Sequence, residues 1–331
     1  MELTRDQSER VSATYRFACE QLSPGARERE RSRLFDRVLW QRAAEFGLTG
    51  LAIPEQFGGS GLDLLDTMLT IEALGRGCED AGLVFSLCAH LFASAVPLWR
   101  SDPSPAQQAL LRELASGRLI CANGTTEPGA GSDVYALKTR AVRQGDVYVL
   151  DGSKCFITNA PLADLFLVYA ATDPRRGYLG ISAFLIPRDT PGLSVQEEDD
   201  KVGLCTSPWG SLYFQECIVD AQLRIGPEGA GAGLFRESMV WERACLFAYY
   251  VGAMERTLAS CVEHARARSQ FGRPIGSFQA IAHRIVDMKL RLEASRLLMY
   301  RVGELQRAGK PCEEASALSK IMISESAVQT G

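Results

Sequence analysis

The residue with the clearest chemical potential is Glu242, in Trp241-Glu242-Arg243. Phe235, Met239, Leu246, Tyr250 and Ala253 recur around it at helical spacing, which predicts one shared stripe. A carboxylate on an apolar stripe is costly unless paired or neutral, and burial raises its pKa toward that of a working general base. The competing reading is a structural ion pair with an arginine. A second unusual stretch is Thr125-Thr126-Glu127-Pro128-Gly129-Ala130-Gly131-Ser132-Asp133. Pro128 and the glycines favour a tight loop with free backbone N–H groups, and the Thr126 and Ser132 hydroxyls add donors. Such a loop suits an anion or the polar edge of a ring. Taken alone, it reads as an ordinary turn held by Asp133. It is followed by Asp151-Gly152-Ser153-Lys154-Cys155-Phe156-Ile157-Thr158-Asn159 and, much later, by the polar run from Arg266 to Gln279.

Other chemistries fit poorly. Gly229-Ala230-Gly231-Ala232-Gly233 lacks the third glycine of a dinucleotide fingerprint and has no βαβ unit around it. A flexible lead-in to a helix is the better reading. The ten cysteines contain no CxxC pair and mostly sit in apolar stretches, so buried free thiols in a reducing cytoplasm are expected. His90, His264 and His283 have no metal-site spacing, so no metal site is expected. A net charge of −4 disfavours nucleic acid as a main partner. No long uninterrupted apolar run is seen, so no membrane span is expected, and the polar start does not read as a signal peptide. With 46% apolar and 23% charged residues, the chain has the balance of a soluble globular protein and rules out global disorder.

The elements that must position these residues fall into an α, β, α order. Helical periodicity predicts helices over 6–22, 28–46, 63–76 with Asp63 as N-cap, 83–99 and 106–115. Short apolar runs at 146–152, 165–170, 181–186 and 211–219 predict strands without intervening helices, hence an antiparallel β unit. Long helical patterns return at 234–268, 281–308 and 313–329, as in an antiparallel bundle. The expected fold class is α+β and multidomain. It has an N-terminal α-helical domain (1–118), a central antiparallel, barrel-like β domain (119–227) and a C-terminal helical bundle (228–331).

The TEPGAGSD stretch, the K-x-F-I-T-N stretch and the R-x-x-F-G-x-x-I-x-x-x-Q stretch occur in that order, after Gly50-Leu51-Ala52-Ile53-Pro54-Glu55-Gln56-Phe57-Gly58-Gly59. In these motifs and in its α–β–α layout the chain resembles the acyl-CoA dehydrogenase family over essentially its whole length. The resemblance implies non-covalent FAD. Carried onto this sequence, it implies cofactor contacts from Asn123, Thr125, Thr126, Gly131, Ser132, Phe156, Ile157 and Thr158. Thr126 would bond the flavin ring, Ser132 would line the phosphate side, and Phe156 would take the place of the family's usual Trp. Gln270 would also contact the cofactor, and Arg268, Phe271 and Gln279 would reach the FAD of a neighbouring subunit, which implies a homodimer or homotetramer. Ser132 and Arg243 would also touch the substrate.

The resemblance implies α,β-dehydrogenation of an acyl thioester, with a glutamate taking the α-proton and the flavin taking the β-hydride. Most members carry that base in a late segment that this sequence does not contain, which makes the bundle short by comparison. A minority place it on the first long bundle helix, directly before an arginine, where this chain has Glu242. The family's acyl-CoA members carry an Arg and a Thr in the loop that here reads Gly203-Leu204-Cys205-Thr206-Ser207-Pro208-Trp209-Gly210. With Cys205 and Trp209 in those places, a carrier protein is the expected thioester carrier ahead of free CoA. An electron-transfer flavoprotein would take the electrons. Alternatives are an oxidase that uses oxygen and a catalytically silent relative.

Overall fold

The computed structural model describes residues 2–198 and 201–331. Its helices are α1 (Arg5–Phe17), α2 (Ala26–Ser32), α3 (Arg37–Glu45), α4 (Leu64–Gly77), α5 (Ala81–Cys88), α6 (Val96–Arg100), α7 (Pro105–Ala115), α8 (Gly231–Trp241), α9 (Phe247–Ala267), α10 (Gln279–Arg307) and α11 (Glu313–Thr330). The strands are β1 (Cys121–Gly124), β2 (Arg140–Gln144), β3 (Val147–Thr158), β4 (Leu165–Ala171), β5 (Ile181–Pro187), β6 (Leu193–Glu198), β7 (Trp209–Asp220), β8 (Arg224–Ile225), β9 (Ser269–Gln270) and β10 (Arg273–Pro274).

Local chemistry explains where the helices start. Asp63 caps α4 by accepting from the Asp66 N–H at 2.9 Å, as expected. Thr4 with Gln7 and Ser104 with Gln107 form capping boxes for α1 and α7. The helix expected over 28–46 is instead two helices. Arg33 adopts a left-handed φ of 55°, and Asp36 starts α3 by accepting from Val38 and Leu39 N–H groups. The apolar helix expected over 83–99 is α5, a π-helical stretch (Ala89–Ala95) and α6. The segment Ala81–Arg100 is long and apolar enough to cross a membrane, a possibility the sequence reading misses because it looks for an unbroken apolar run. Within the fold, 89% of its most apolar window is buried, as in a core helix.

The chain packs as two compact units. One holds 1–26, 63–84 and 243–331. Here α4 and α9 pack backbone to backbone at glycines. A Cβ on Gly75 would lie 1.9 Å from the Tyr249 carbonyl oxygen, and one on Gly252 would lie 2.0 Å from that of Glu72. Arg296 on α10 reaches Glu72 at 2.7 Å, and the Tyr300 hydroxyl donates to the same carboxylate at 2.8 Å.

The other unit holds 27–62 and 85–242, including an eight-stranded sheet in the order β6-β7-β3-β2-β4-β5-β8, with β1 beside β4. Sequence reading finds β3, β4, β5 and β7. The shorter or more polar β1, β2, β6 and β8 lack a clear alternation. The pairing also departs from the purely antiparallel expectation, because β1 runs parallel to β4 with Asn123 opposite Leu167, and β2 meets β4 in parallel at one position. Tyr148, Leu150, Ile157, Phe166, Val168, Ala170, Phe184 and Leu212 fill the sheet's core. Alternation along β4 therefore sends Leu165, Leu167 and Tyr169 to the opposite face.

Candidate active site

The Thr125–Asp133 loop is held from below by a buried ion pair. Lys154, fully buried on β3, donates to Glu127 at 2.8 Å and to the Thr125 carbonyl at 3.1 Å. Glu127 also accepts from the Lys138 and Thr139 N–H groups at 2.6 and 3.0 Å, and it bridges backbone to backbone with Ala130. Burial alone would raise the Glu127 carboxyl, but Lys154 and the other donors outweigh it and hold the carboxyl below its ordinary range. Burial pushes the Lys154 ammonium down, with Glu127 opposing. Sequence reasoning missed this pair. A lysine at an inward position of β3, in step with Tyr148 and Leu150, was the available signal.

Above that base the loop is open. No heavy atom lies within 4 Å of where a Cβ on Gly129 or Gly131 would be. Among the described residues the Gly131 and Ser132 N–H groups and the Thr126, Ser132 and Thr158 hydroxyls have no hydrogen-bond partner. The neighbouring wall is aromatic. A bulge between Lys154 and Ile157 puts Phe156 at φ 59° and leaves it 64% exposed. Trp209 lies flat behind it, with ring centroids 5.1 Å apart and planes within 5°. Sequence reading assigned Trp209 to a carrier contact and did not foresee this stacking. An open loop of free donors beside an exposed aromatic ring fits the FAD that the family resemblance implies.

Not every expected cofactor residue faces that space. The Ile157 side chain is 2% exposed and belongs to the sheet core, because the bulge turns it inward as it turns Phe156 outward. Its carbonyl accepts from the Ala160 N–H at 3.2 Å. The Asn123 amide is occupied inside the protein: its Nδ2 donates to the Ala93 carbonyl at 2.5 Å and its Oδ1 accepts from the Thr125 hydroxyl. In the 203–210 loop, the Cys205 N–H donates to Glu30 at 3.0 Å, and Lys201 donates to the Leu204 and Ser207 carbonyls.

Glu242 closes α8 and begins a π-turn, Glu242–Leu246, that leads into α9. That turn interrupts the single 3.6-residue period assumed for 234–268, so the expected stripe is not continuous. Between Phe235 and Ala253 the buried residues are Ser238, Trp241, Ala244, Cys245, Ala248, Tyr249, Val251 and Gly252, while Phe235, Met239, Glu242, Leu246, Tyr250 and Ala253 are half-buried. A half-buried carboxylate at this position is still reachable from outside the core. The Ser238 hydroxyl, one turn before it, shares its proton between the Phe235 carbonyl at 2.9 Å and Glu242 Oε1 at 3.2 Å. The ring of Trp241 stacks on Phe92 with centroids 6.4 Å apart.

The remaining expected residues lie in the unit that holds 243–331. Arg243 is half-buried. Arg268 is the exposed C-cap of α9, its N–H bonded to the His264 carbonyl at 2.9 Å. The β9–β10 hairpin then turns through Phe271 and Gly272, both at positive φ. This turn pushes Phe271 out to 94% exposure; Gln270 before it and Gln279 at the start of α10 are also exposed.

Comparison with known proteins shows the family. The acyl-CoA dehydrogenase N-terminal, middle and C-terminal domains match residues 4–118, 122–217 and 229–331. An L-prolyl-[peptidyl-carrier protein] dehydrogenase from a Serratia strain is 47% identical over 329 residues, 99% of this chain and 85% of that protein. The solved structure "PigA with FAD and proline" superposes with a TM-score of 0.97 at 46% identity, covering 100% of this chain and 86% of that one. The crystal structure of the prolyl acyl carrier protein oxidase AnaB gives 0.96 at 37% identity, covering 99% and 87%. Each of the family's domain types is thus matched in order along nearly the whole chain, which belongs to the acyl-CoA dehydrogenase family.

Proposed function

We propose that this protein dehydrogenates a prolyl group carried as a thioester on a carrier protein, using FAD, with Glu242 as the base. The activity is an FAD-dependent α,β-dehydrogenation of an acyl thioester. The observation that carries the assignment of the base is Glu242 itself: a half-buried carboxylate at a helix-to-π junction, oriented by Ser238. The prolyl group and the carrier protein are supported by the similarity to the Serratia enzyme across 99% of the chain.

Each residue has a part. Thr126, Ser132 and Thr158 offer hydroxyls, and Gly131 and Ser132 offer N–H groups, to the cofactor's polar edge. Phe156, backed by Trp209, gives its ring a flat wall. Ser132 and Arg243 hold the thioester. Glu242 takes the α-proton. FAD, when bound, supplies the acceptor for the hydride leaving the adjacent carbon. Gln270 also contacts the cofactor, and Arg268, Phe271 and Gln279 act on the FAD of a second subunit, in a homodimer or homotetramer. An electron-transfer flavoprotein receives the electrons, and the protein works in the cytoplasm, where its buried thiols stay reduced.

The test is an anaerobic titration followed by absorbance. Prolyl thioester on a carrier protein is expected to bleach the flavin, and prolyl-CoA to do so far less well. Equal bleaching by both would remove the carrier assignment, and no bleaching by either would remove the activity. The similarity to the oxidase AnaB favours oxygen as a second reading for the acceptor. Rapid recolouring in air without an electron-transfer flavoprotein would establish it.

A further inference from the structure

Trp209, the aromatic that the sequence reading gives to a carrier contact, has one face covered by Phe156. A different aromatic surface is exposed. Tyr135 lies three residues beyond Ser132, and Tyr178 and Leu179 lie in the turn between β4 and β5. All three are exposed, Tyr178 to 57%. The two tyrosine rings meet with centroids 6.2 Å apart. Tyr135 also meets Phe235 of α8 edge to face at 6.2 Å, and Phe235 meets the buried ring of Tyr169 at 5.7 Å. The rings thus run from the interior to the surface within the unit that holds 27–62 and 85–242. They adjoin the two segments that matter, the Ser132 loop and α8, at whose end Glu242 stands.

The turn that shows Tyr178 and Leu179 is firmly held. The Gly180 carbonyl accepts from the Thr172 and Asp173 N–H groups at 2.8 and 3.1 Å and from the Thr172 hydroxyl at 3.0 Å. A Cβ on Gly229 would lie 2.5 Å from the Leu179 carbonyl oxygen, so the turn rests directly on the backbone that leads into α8. Side chains on a fixed turn give up less freedom when a partner covers them. The surroundings are basic on a chain of net charge −4. Segments 133–140 and 173–180 carry Lys138, Arg140, Arg175 and Arg176 against Asp133 and Asp173. Arg140 on β2 is in register with Ala171 at the end of β4, where the turn begins.

We infer that the carrier protein docks on this patch. Tyr135, Tyr178 and Leu179 cover apolar surface of the carrier, and the cations face the phosphodiester by which its phosphopantetheine arm is attached. This rests on the reading of the substrate as a prolyl thioester on a carrier protein. The arm is tethered to the carrier at one end and must bring its thioester to Glu242 at the other, so the docking surface has to adjoin the residues that hold the thioester. The patch does so through Tyr135 and Phe235. The phosphodiester is an anion at any working pH, and arginine suits it in charge and geometry. A free arm would need the cations alone. An exposed group of tyrosines with arginines beside it has the composition of a protein contact.

The experiment compares two substrates in the FAD-loaded protein under anaerobic conditions. One is a peptidyl carrier protein bearing L-proline on its phosphopantetheine arm. The other is L-prolyl-pantetheine, the same thioester with neither protein nor phosphate. In Tyr178→Ala and in Arg176→Glu, the carrier concentration for half-maximal flavin reduction is expected to rise by about 10- to 30-fold, the scale of an interface hot spot. The limiting rate is expected to stay within about twofold, as for a contact made equally before and during the reaction. Reduction by L-prolyl-pantetheine should not change. Binding of the dye-labelled carrier, followed by anisotropy, should weaken by the same factor as the half-maximal concentration. Unchanged carrier affinity in Tyr178→Ala overturns the proposal, whatever Arg176→Glu does. Equal weakening with both substrates also overturns it, because the residues would then touch the arm and not the protein. So does an effect confined to sedimentation or to reoxidation by an electron-transfer flavoprotein, which gives the patch to a second copy or to that partner. A wild-type protein that binds the carrier without flavin reduction removes the prolyl dehydrogenation, while the loss of binding in Tyr178→Ala still supports the docking surface.

Discussion

Glu242 and Lys154 are both charged residues away from open solvent, and they call for opposite predictions. Glu242 is half-buried and its proposed task is a proton transfer, so removing its charge should affect rate and little else. Glu242→Gln keeps the shape and the Ser238 contact but removes the proton acceptor. Flavin reduction is expected to slow by about 10²–10⁴-fold, the usual scale for a lost general base. The protein should remain yellow with unchanged thioester affinity, and stopped-flow reduction beside a binding titration checks both. Lys154 is fully buried and its task is architecture. Lys154→Met leaves the Glu127 carboxylate with its backbone donors but without a cation. Removing one partner of a buried pair typically costs about 3–5 kcal/mol. Urea unfolding is expected to show a loss of that order, and FAD affinity should fall because the Thr125 carbonyl loses its anchor. Unchanged FAD affinity in folded Lys154→Met would mean that the loop holds its shape without the pair.

At the scale of elements, His90 makes a measurable prediction about acid stability. It is fully buried in the π-helical stretch between α5 and α6, accepts the Cys121 N–H on Nδ1 at 3.0 Å, and places Nε2 3.1 Å from the Leu114 carbonyl. These contacts call for a neutral ring protonated on Nε2, and burial pushes its pKa down to about 4 from the ordinary 6.5. Above pH 6.5 folded and unfolded chains both carry it neutral, so its contribution is complete. As pH falls from about 6.5 toward 4, the unfolded chain takes up a proton that the folded site refuses, and about 3 kcal/mol of stability is lost. Urea midpoints measured from pH 7 to 4.5 should fall accordingly, and the fall should flatten in His90→Gln. An equally steep fall in that variant would assign the acid sensitivity to the carboxylates. His90 shows where sequence reading stops. Its spacing argues against a metal ligand, but nothing in the sequence says that β1 and α7 will close around it. The motif loops, the Asp63 cap, the main strands and the bundle helices were legible because each rests on local periodicity or turn chemistry. The π-turn at Glu242, the bulge that swaps Phe156 and Ile157, and the parallel β1–β4 pair were not. Those depend on contacts between residues far apart in the chain.

At the scale of the whole molecule the exposed surface suits self-association. Val286, Leu290 and Leu297 follow one face of α10, and Leu318, Ile321 and Val328 lie along α11, each more than half exposed. Apolar rows of this kind on neighbouring helices are unusual on a monomer's surface and suit a symmetric contact. Sedimentation is expected to show a dimer or tetramer, and Leu290→Glu should shift it toward monomer. The proposed role of Arg268 makes the sharper prediction. If Arg268 serves the FAD of a second subunit, Arg268→Ala should weaken FAD retention while leaving the thermal midpoint of the cofactor-free protein nearly unchanged. Arg268→Ala and Glu242→Gln chains should then rescue each other. In a mixed dimer, one site takes its base from the Arg268→Ala chain and its arginine from the Glu242→Gln chain, and is complete. Random mixing makes half the dimers hybrid with one good site each, so activity is expected to recover to about a quarter of wild type. The pure variants should stay near zero. If each chain used its own arginine, every site in the mixture would lack either the base or the arginine, and unfolding and refolding the two chains together would restore nothing.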